Sequence, residues 1–332
     1  MKTKRTRRQF IQITGMATAA SLAGAPGSVG AAGELLAGKK PAQSKPTVPH
    51  QLSAGGKPAS EAQEPNSINS SIGAGFNLGL ASYTLRKFNL DQALAMTRRV
   101  GLKYIALKSV HLPLESTPAE IEAAAAKVKE AGLELYGGGV IYMNNEAEVK
   151  QAFDYAKAAG MKLIIGAPQH ELLPLVNKKV QEYDIKLAIH NHGPGDKTYP
   201  TPASAYEKIK NLDKRIGLCD DIGHTQRSGV NPSESAQEFA DRLLDVHIKD
   251  VSQATAKGGG VEVGRGVIDI PGYLRTLIKV GYKGVVAFEY EKDADDPLPG
   301  LAESVGYVKG VLAGTSKVFS FHPPTADLAL SF

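Results

Sequence analysis

Five short stretches of this 332-residue chain concentrate groups able to hold a cation or move a proton. "KLAIHNHG" (186–193) ends an apolar alternation on His190, Asn191 and His192. "CDDIGH" (219–224) carries Asp220, Asp221 and His224, and "VHIKD" (246–250) carries His247, Lys249 and Asp250. "FEYE" (288–291) supplies Glu289 and Glu291, and "ALKSVH" (106–111) supplies Lys108 and His111. Burying such groups without partners costs several kcal/mol each, and a shared cation removes that penalty. Side chains alternate along a strand, so His247 shares a face with Lys249, and Glu289 with Glu291. One ligand per stretch then selects His190, Asp221, His247 and Glu289. Two imidazoles and two carboxylates suit a divalent ion of the manganese, cobalt, iron or zinc kind, without choosing among them. The remaining residues also have plainer readings. His111 is more often a hydrogen-bonded rim or core residue, Lys108 and Glu291 solvated strand ends, and Asp220 an outward partner of Arg215 or a lysine.

The elements that must position these groups follow a regular rhythm from Phe76 onward. Short β-branched runs alternate with amphipathic segments of ten to sixteen residues. At "RRVGLKYIAL", "KEAGLELYGG", "KAAGMKLIIG" and "IKVGYKGVVAF" a helix ends on Gly101, Gly132, Gly160 or Gly281, and a strand follows. A left-handed residue after a helix is the natural place for glycine. Thr117 with Pro118 and Glu120, and Thr201 with Pro202, mark helix starts. The predicted strands are Phe76–Ser82, Lys103–Leu107, Leu133–Val140, Lys162–Gly166, Ile185–His190, Ile216–Asp221, Leu244–Lys249 and Val285–Tyr290, with a last helix near Leu301–Leu312. Eight βα units over about 240 residues fit an α/β fold of the closed (β/α)8 TIM-barrel type, for which about 250 is typical. An open doubly wound sheet is the alternative, but no GxGxxG follows the first strand. In a barrel the five stretches fall at the C-terminal strand ends, where active sites lie.

Upstream of the barrel the composition changes twice. Residues 1–32 carry Lys2, Lys4, Arg5, Arg7 and Arg8 and no acid, followed by an Ala-rich uncharged run. Paired arginines before Phe10 resemble a twin-arginine (Tat) export signal, which implies the Tat translocase as a partner and a periplasmic or exported location. The run is too short and too weakly apolar for stable membrane insertion. Its five charges equal the whole formal excess of +5, so the mature chain is near neutral and carries no basic stripe for nucleic acid. Residues 33–72, rich in Gly, Pro, Ser and Ala, read as a flexible linker. The barrel is expected over 73–314, and a C-terminal tail over 315–332 packs outside it or frays. Cys219 is the single cysteine, so no internal disulfide forms. A homo-oligomer is compatible with all of this.

"CDDIGH", "VHIKD" and the strand ending in "FEYE" look like the xylose-isomerase-like sugar isomerase/epimerase family of TIM barrels. The resemblance covers about Phe76 to Leu312. It implies a divalent metal on Asp221, His247 and Glu289, a carbohydrate substrate, and a His224 that touches sugar hydroxyls. Many members end strand five with a glutamate that is both ligand and general base. Here His190 stands in its place, a neutral ring ligand but a poor base, so the two-glutamate proton shuttle is in doubt. An arginine often found after the strand-seven motif is also missing, and Gln253 stands near there.

The chemistry expected of such a site is loss of a proton next to a sugar carbonyl, with the cation stabilising the resulting charge. The metal falls to His190, Asp221, His247 and Glu289. Base and acid come from Glu289, Glu291, His192, His224 and Lys108; His111, His224 and Lys249 contact substrate; Asp250 orients His247 or Lys249. Isomerisation or epimerisation is one outcome, and β-elimination or hydration on a 3-keto-glycoside is another. "KGGGVEVGRG" (257–266) reads as a mobile lid rather than a phosphate loop. A non-catalytic exported carbohydrate-binding protein is a third reading, weakened by the absence of Trp and the presence of ionisable ligands. An endonuclease IV-like repair enzyme shares the barrel, but would want a basic groove.

Overall fold

The computed structural model describes residues 74–319. The leader (1–32), the linker (33–72) and the chain beyond 319 lie outside the described residues. Eight parallel strands close a barrel: β1 (Asn77–Ala81), β2 (Tyr104–Leu107), β3 (Glu134–Met143), β4 (Leu163–Pro168), β5 (Lys186–His190), β6 (Ile216–Asp221), β7 (Leu243–Ile248) and β10 (Val285–Phe288). They run β1-β10-β7-β6-β5-β4-β3-β2 around the ring, so every consecutive pair in the chain are neighbours in space. Two further strands, β8 (Asp250–Val251) and β9 (Gly260–Val261), pair antiparallel above the end of β7. The barrel helices are α1 (Leu90–Arg99), α2 (Pro118–Glu130), α3 (Glu146–Ala158), α4 (Leu173–Tyr183), α5 (Pro202–Ile209), α6 (Ile222–Arg227), α7 (Pro232–Glu238), α8 (Ile270–Lys279) and α9 (Leu298–Phe319). Among the described residues no helix is long and apolar enough to cross a membrane.

Local chemistry accounts for where the elements start and stop. Thr117 accepts from the Glu120 N–H while the Glu120 side chain reaches back, and Thr201 and Ser204 repeat the arrangement, satisfying amides that the first helical turn leaves unpaired. Gly101, Gly132, Gly160 and Gly281 have φ of 73°, 72°, 69° and 71°, the left-handed closure that a side chain would strain. The main apolar core lies between strands and helices, with Leu80, Ile105, Ile164, Phe153 and Phe288 fully buried. The barrel axis is narrower and takes small residues, among them Ala106, Ala188, Cys219, Ala81 and Ala287, with Tyr136 and Tyr104 packed against them.

Several strand ends differ from the sequence reading by a residue or two, and three boundaries have an identifiable cause. β3 continues to Met143 rather than stopping at Val140, because Ile141, Tyr142 and Met143 regain partners on β4 after a register shift. β10 stops at Phe288. The Glu289 N–H still donates to the Ile248 carbonyl at 3.1 Å, but the Tyr290 N–H turns away to Thr84 Oγ1 at 2.9 Å. α9 continues to Phe319 instead of ending near Leu312. Pro299 lies in its first turn, where proline is tolerated, and the next proline is Pro323, while an internal glycine weakens a helix without stopping it.

The loop read as a mobile lid is tied down. Asp250 Oδ1 accepts from the Val251 N–H at 2.8 Å and Ile268 N–H at 3.2 Å, while Oδ2 accepts from Gly264 N–H at 3.0 Å and Gly266 N–H at 2.9 Å. Asp250 therefore closes this loop and does not orient His247 or Lys249. Alternation along the chain explains why: Asp250 sits one residue out of phase with both.

His111 is likewise structural rather than a substrate contact. Its Nδ1 lies 2.9 Å from Ser82 Oγ and its Nε2 lies 3.1 Å from the Phe88 carbonyl. The same Ser82 Oγ accepts the Lys108 N–H at 2.8 Å. The consistent assignment is an Nε2–H donating to Phe88 and an unprotonated Nδ1 accepting from the hydroxyl. Burial lowers the His111 pKa against the opposing pull of the Phe88 and Leu85 carbonyls. As pH falls, the unfolded chain takes up this proton first, so stability present above about pH 6.5 is lost below it. Thermal unfolding of the wild type should weaken between pH 7.5 and pH 5. His111→Gln should be less stable at pH 7.5 and show a smaller acid-side drop. An identical pH slope in both proteins would show that this ring does not contribute.

Candidate metal centre and active site

Four side chains converge at the C-terminal mouth of the barrel. His190 closes β5, Asp221 closes β6, His247 lies on β7 opposite Asp221, and Glu289 follows β10 directly. One donor atom from each lies within 4.8 Å of every other, and all four residues are buried. His190 Nε2 is 3.1 Å from His247 Nδ1 and 3.4 Å from Asp221 Oδ2, and His247 Nδ1 is 3.2 Å from Glu289 Oε2.

The "HNH" and "DIGH" stretches owe their form to holding Asp221. Asn191 Oδ1 accepts the Asp221 N–H at 3.0 Å, and its Nδ2 donates to the Asp221 carbonyl at 3.3 Å and to Thr225 Oγ1 at 3.1 Å. Asp221 caps α6, its Oδ1 accepting the His224 N–H at 2.9 Å. Its other oxygen is left to face the cluster. A Cβ on Gly223 would come within 2.4 Å of Lys249 Cγ, so a side chain there would block the lysine stem from entering.

Two ammonium groups complete the arrangement. Lys249 Nζ lies 2.8 Å from Asp221 Oδ2, 2.9 Å from Glu289 Oε2 and 2.6 Å from Glu291 Oε1. Lys108 Nζ lies 2.7 Å from Glu289 Oε1. Burial by itself would push the Asp221 and Glu289 carboxyls up. For Asp221 the Lys249 ammonium overrides it, and for Glu289 Lys108 and Lys249 together do, so both sit well below the usual range. Burial would lower Lys249, and its three carboxylates hold it well above the ordinary lysine value instead. Burial keeps His190 well below the ordinary imidazole value, so the ring is neutral and one of its nitrogens carries a lone pair for a cation.

These residues fit a divalent ion. Donor separations of 3.1–3.4 Å are those of ligands held about 2.0–2.2 Å from one centre. Asp221 Oδ2 has no aligned hydrogen-bond donor despite its contact with Lys249. Three carboxylates against two ammoniums leave the cluster with a net negative charge. A second grouping, His190, Cys219 and His247, also falls within ligand distance. It fits less well, because burial raises the Cys219 thiol and Cys219 Sγ lies 3.3 Å from Asp245 as a hydrogen-bond donor.

The other predicted residues are sorted by the fold. His192 lines the cavity over the cluster, stacked on Tyr142 at 5.4 Å with Tyr142 Oη 2.8 Å from its Nε2. Burial lowers its pKa, opposed by Asp196, whose carboxylate lies 3.5 Å from Nδ1. His224 lies beside it, ring centroids 6.2 Å apart. Glu291 lines the same cavity and its side chain is 41 % exposed. Asp220 does not pair with Arg215, which binds Asp184 and Asp213 instead. Asp220 is buried against Thr225 Oγ1, and burial raises its pKa to about 7. Sequence reasoning missed Asp245, 3.6 Å from His247 Nε2, although alternation along β7 places it on the same inward face as His247 and Lys249. It also missed Tyr142, which lies in the part of β3 beyond the register shift.

Calorimetric titration of the full chain with Mn²⁺, Co²⁺ or Zn²⁺ should give one ion per chain. Since loss of a group that only supports a ligand costs 10- to 100-fold, Asp221→Asn or His247→Ala should weaken binding by more than about 100-fold. His111→Gln should leave it nearly unchanged. Retention of wild-type affinity by both ligand variants would rule this cluster out as the binding place.

Comparison with known proteins agrees with the fold. The family model described as xylose isomerase-like TIM barrel matches residues 89–310. The rhizopine catabolism protein MocC of Rhizobium meliloti is 27% identical over 169 residues, covering 45% of this chain and 50% of that protein. The inosose dehydratase of Geobacillus kaustophilus is 27% identical over 152 residues, covering 39% and 45%. The chain thus spans about half the length of these curated relatives. Among solved structures, the IOLI protein with a bound zinc atom superposes with a TM-score of 0.62 at 20% identity, over 74% of this chain and 99% of that one. The 3-keto-D-glucoside 4-epimerase YcjR of E. coli does so at 0.59 and 16%, over 71% and 99%. These likenesses concern the fold. With two thirds of the chain matched by the family model and the closed eight-stranded barrel in place, the chain belongs to the xylose isomerase-like TIM barrel family.

Proposed function

We propose that the protein is a divalent-metal-dependent sugar isomerase or epimerase that removes a proton next to the carbonyl of a keto sugar or sugar derivative. The observation that carries this is the convergence of His190, Asp221, His247 and Glu289 beneath a cavity of about 360 Å³ lined by proton-transfer groups. A divalent ion held by the four would polarise the substrate carbonyl and stabilise the charge left by proton loss. Glu289 has Lys108 on one oxygen and Lys249 with His247 on the other, so it holds position rather than exchanging protons. The proton-moving groups lie on separate walls. His192, kept neutral near pH 7 and bonded to Tyr142, sits beyond β5. Glu291, held by Lys249, sits beyond β10, three strands away around the ring. One group on each side of a sugar ring lets a proton leave from one face and return to the other. His224 and Lys249 would contact sugar hydroxyls, and His111 is removed from that role by its buried partners.

A dehydratase acting by β-elimination is the second reading. It is favoured by His190 in place of a strand-five glutamate and by the similarity to an inosose dehydratase. Elimination needs a base and an acid but no symmetric pair of carboxylates, which suits His192 with Tyr142. The proposal also includes export by the twin-arginine route, supported by Arg7, Arg8 and the uncharged run after them. That route carries folded proteins, so the ion would be bound before export. Replacing both arginines with lysine should hold the protein in the cytoplasm of the producing cell, and normal export of that variant would refute the route.

Full-length protein should turn over keto sugars or 3-keto-glycosides, lose activity in EDTA and regain it with one ion per chain. In deuterated water the carbon next to the carbonyl should acquire deuterium. Glu291→Gln or His192→Asn should lower kcat by about 10²- to 10⁴-fold with metal affinity retained. A product lighter by one water from a keto sugar, or release of the aglycone alcohol from a 3-keto-glycoside, selects elimination over epimerisation. Equal turnover after complete metal removal would exclude both readings.

A further inference from the structure

His224 and Arg227 stand three residues apart on α6, so their side chains leave neighbouring positions of one helix face. The Arg227 guanidinium forks. Its Nη2 donates to the Ala256 carbonyl at 2.9 Å, and its Nη1 lies 3.3 Å from His224 Nδ1. An arginine carries N–H donors, no acceptor and a permanent charge. His224 Nδ1 must therefore hold the lone pair, and the ring proton falls to Nε2. A ring protonated at both nitrogens would set one N–H against another.

The opposite end of the ring agrees. Nε2 lies 3.9 Å from Asp221 Oδ2, on the side of an ionised oxygen that can only accept. That distance is too long for a hydrogen bond, so the N–H is not used up there. The His224 side chain is 18 % exposed. It lines both the cavity over the cluster and a narrower cleft beside Lys249 and Tyr290. Its placement is fixed from two further sides. The His224 N–H donates to Asp221 Oδ1, and a Cβ on Gly193, whose φ is 82°, would come within 3.0 Å of His224 Nδ1. The glycine that ends "HNHG" thus leaves room beside the nitrogen that Arg227 reaches.

We propose that Arg227 is a positioning residue that fixes His224 as the Nε2–H tautomer, making it a hydrogen-bond donor to an oxygen of the substrate and excluding it as the proton-abstracting base. The sugar contact rests on the functional reading above; the tautomer does not. The substrate atom that meets His224 is then an acceptor, a carbonyl or hydroxyl oxygen, and the base is left to His192 or Glu291. His192 is not held in this way. Its Nε2 meets the Tyr142 hydroxyl at 2.8 Å, a group that both donates and accepts, so its proton is free to move between the two ring nitrogens.

The test is imidazole-nitrogen NMR on the full chain loaded with Zn²⁺, with His224 assigned by the signals lost in His224→Gln. Wild-type His224 should carry its proton on Nε2. Arg227→Met, which keeps a long stem without a donor, should move the tautomer ratio toward Nδ1–H by about 3- to 10-fold, the worth of one hydrogen bond, with Zn²⁺ affinity retained. Adding D-fructose as the keto-sugar probe should shift the wild-type His224 Nε2 signal. A wild-type proton on Nδ1 would overturn the proposal without any variant. So would an unchanged ratio in Arg227→Met, the result expected if Arg227 only ties down the loop at Ala256. No movement of the His224 signal with D-fructose would overturn its role as a donor to sugar. Failure of every keto sugar to turn over, with the Nε2–H tautomer and its dependence on Arg227 intact, would remove the functional reading and leave the Arg227–His224 assignment standing.

Discussion

A buried ammonium holds this active-site region together. Lys249 enters the barrel mouth just after β7 and meets carboxylates from two other strand ends, Asp221 closing β6 and Glu289 and Glu291 beyond β10. Lys108 from β2 closes the other side of Glu289. Each acid placed there without a countercharge would carry a desolvation cost of several kcal/mol. With two lysines, Asp221 and Glu289 stay ionised although both are buried. Two residues two strands apart on the ring are thereby held at fixed separation, with His247 of β7 between them and the neutral His190 of β5 beside Asp221.

That balance explains why so much of the surrounding structure serves placement. Asn191 spends its whole amide on Asp221 and Thr225. Asp221 uses one oxygen as a helix cap, which leaves the other directed at the cluster. Gly223 clears a path for Lys249, and His111 with Ser82 anchors the backbone from which Lys108 projects. Asp250 gathers four backbone amides and keeps the loop after β7 folded over one side of the mouth. Groups that need one geometry are better held on rigid elements with supporting bonds than on free loops.

Under the proposed function the arrangement also separates binding from proton transfer. Residues with both polar ends committed, such as Glu289 and Asn191, shape the charge of the site. Residues toward the cavity, His192 with Tyr142 on one wall and Glu291 on the other, face the space where a sugar ring would lie. The epimerase and dehydratase readings differ only in what the wall groups do after the first proton leaves.

Much of this was legible in the chain because it depends on local rules. Strand rhythm, capping boxes at Thr117 and Thr201 and left-handed glycines after helices are set by residues a few positions apart. Alternation then assigned His190, Asp221, His247 and Glu289 to one mouth. Other assignments depended on long-range partners that no local pattern carries. His111 looked like a rim ligand until Ser82 and Phe88 took both of its nitrogens. Asp220 looked like a surface partner for Arg215, but β6 turns it inward against Thr225. Asp250 looked like an orienting acid, but its position one residue out of phase gave it to the loop. Lys249 bridging three carboxylates, and Tyr142 stacking on His192, exist only because barrel closure brings strands distant in sequence to one rim. Local chemistry decides which residues face inward; only closure decides which of them meet.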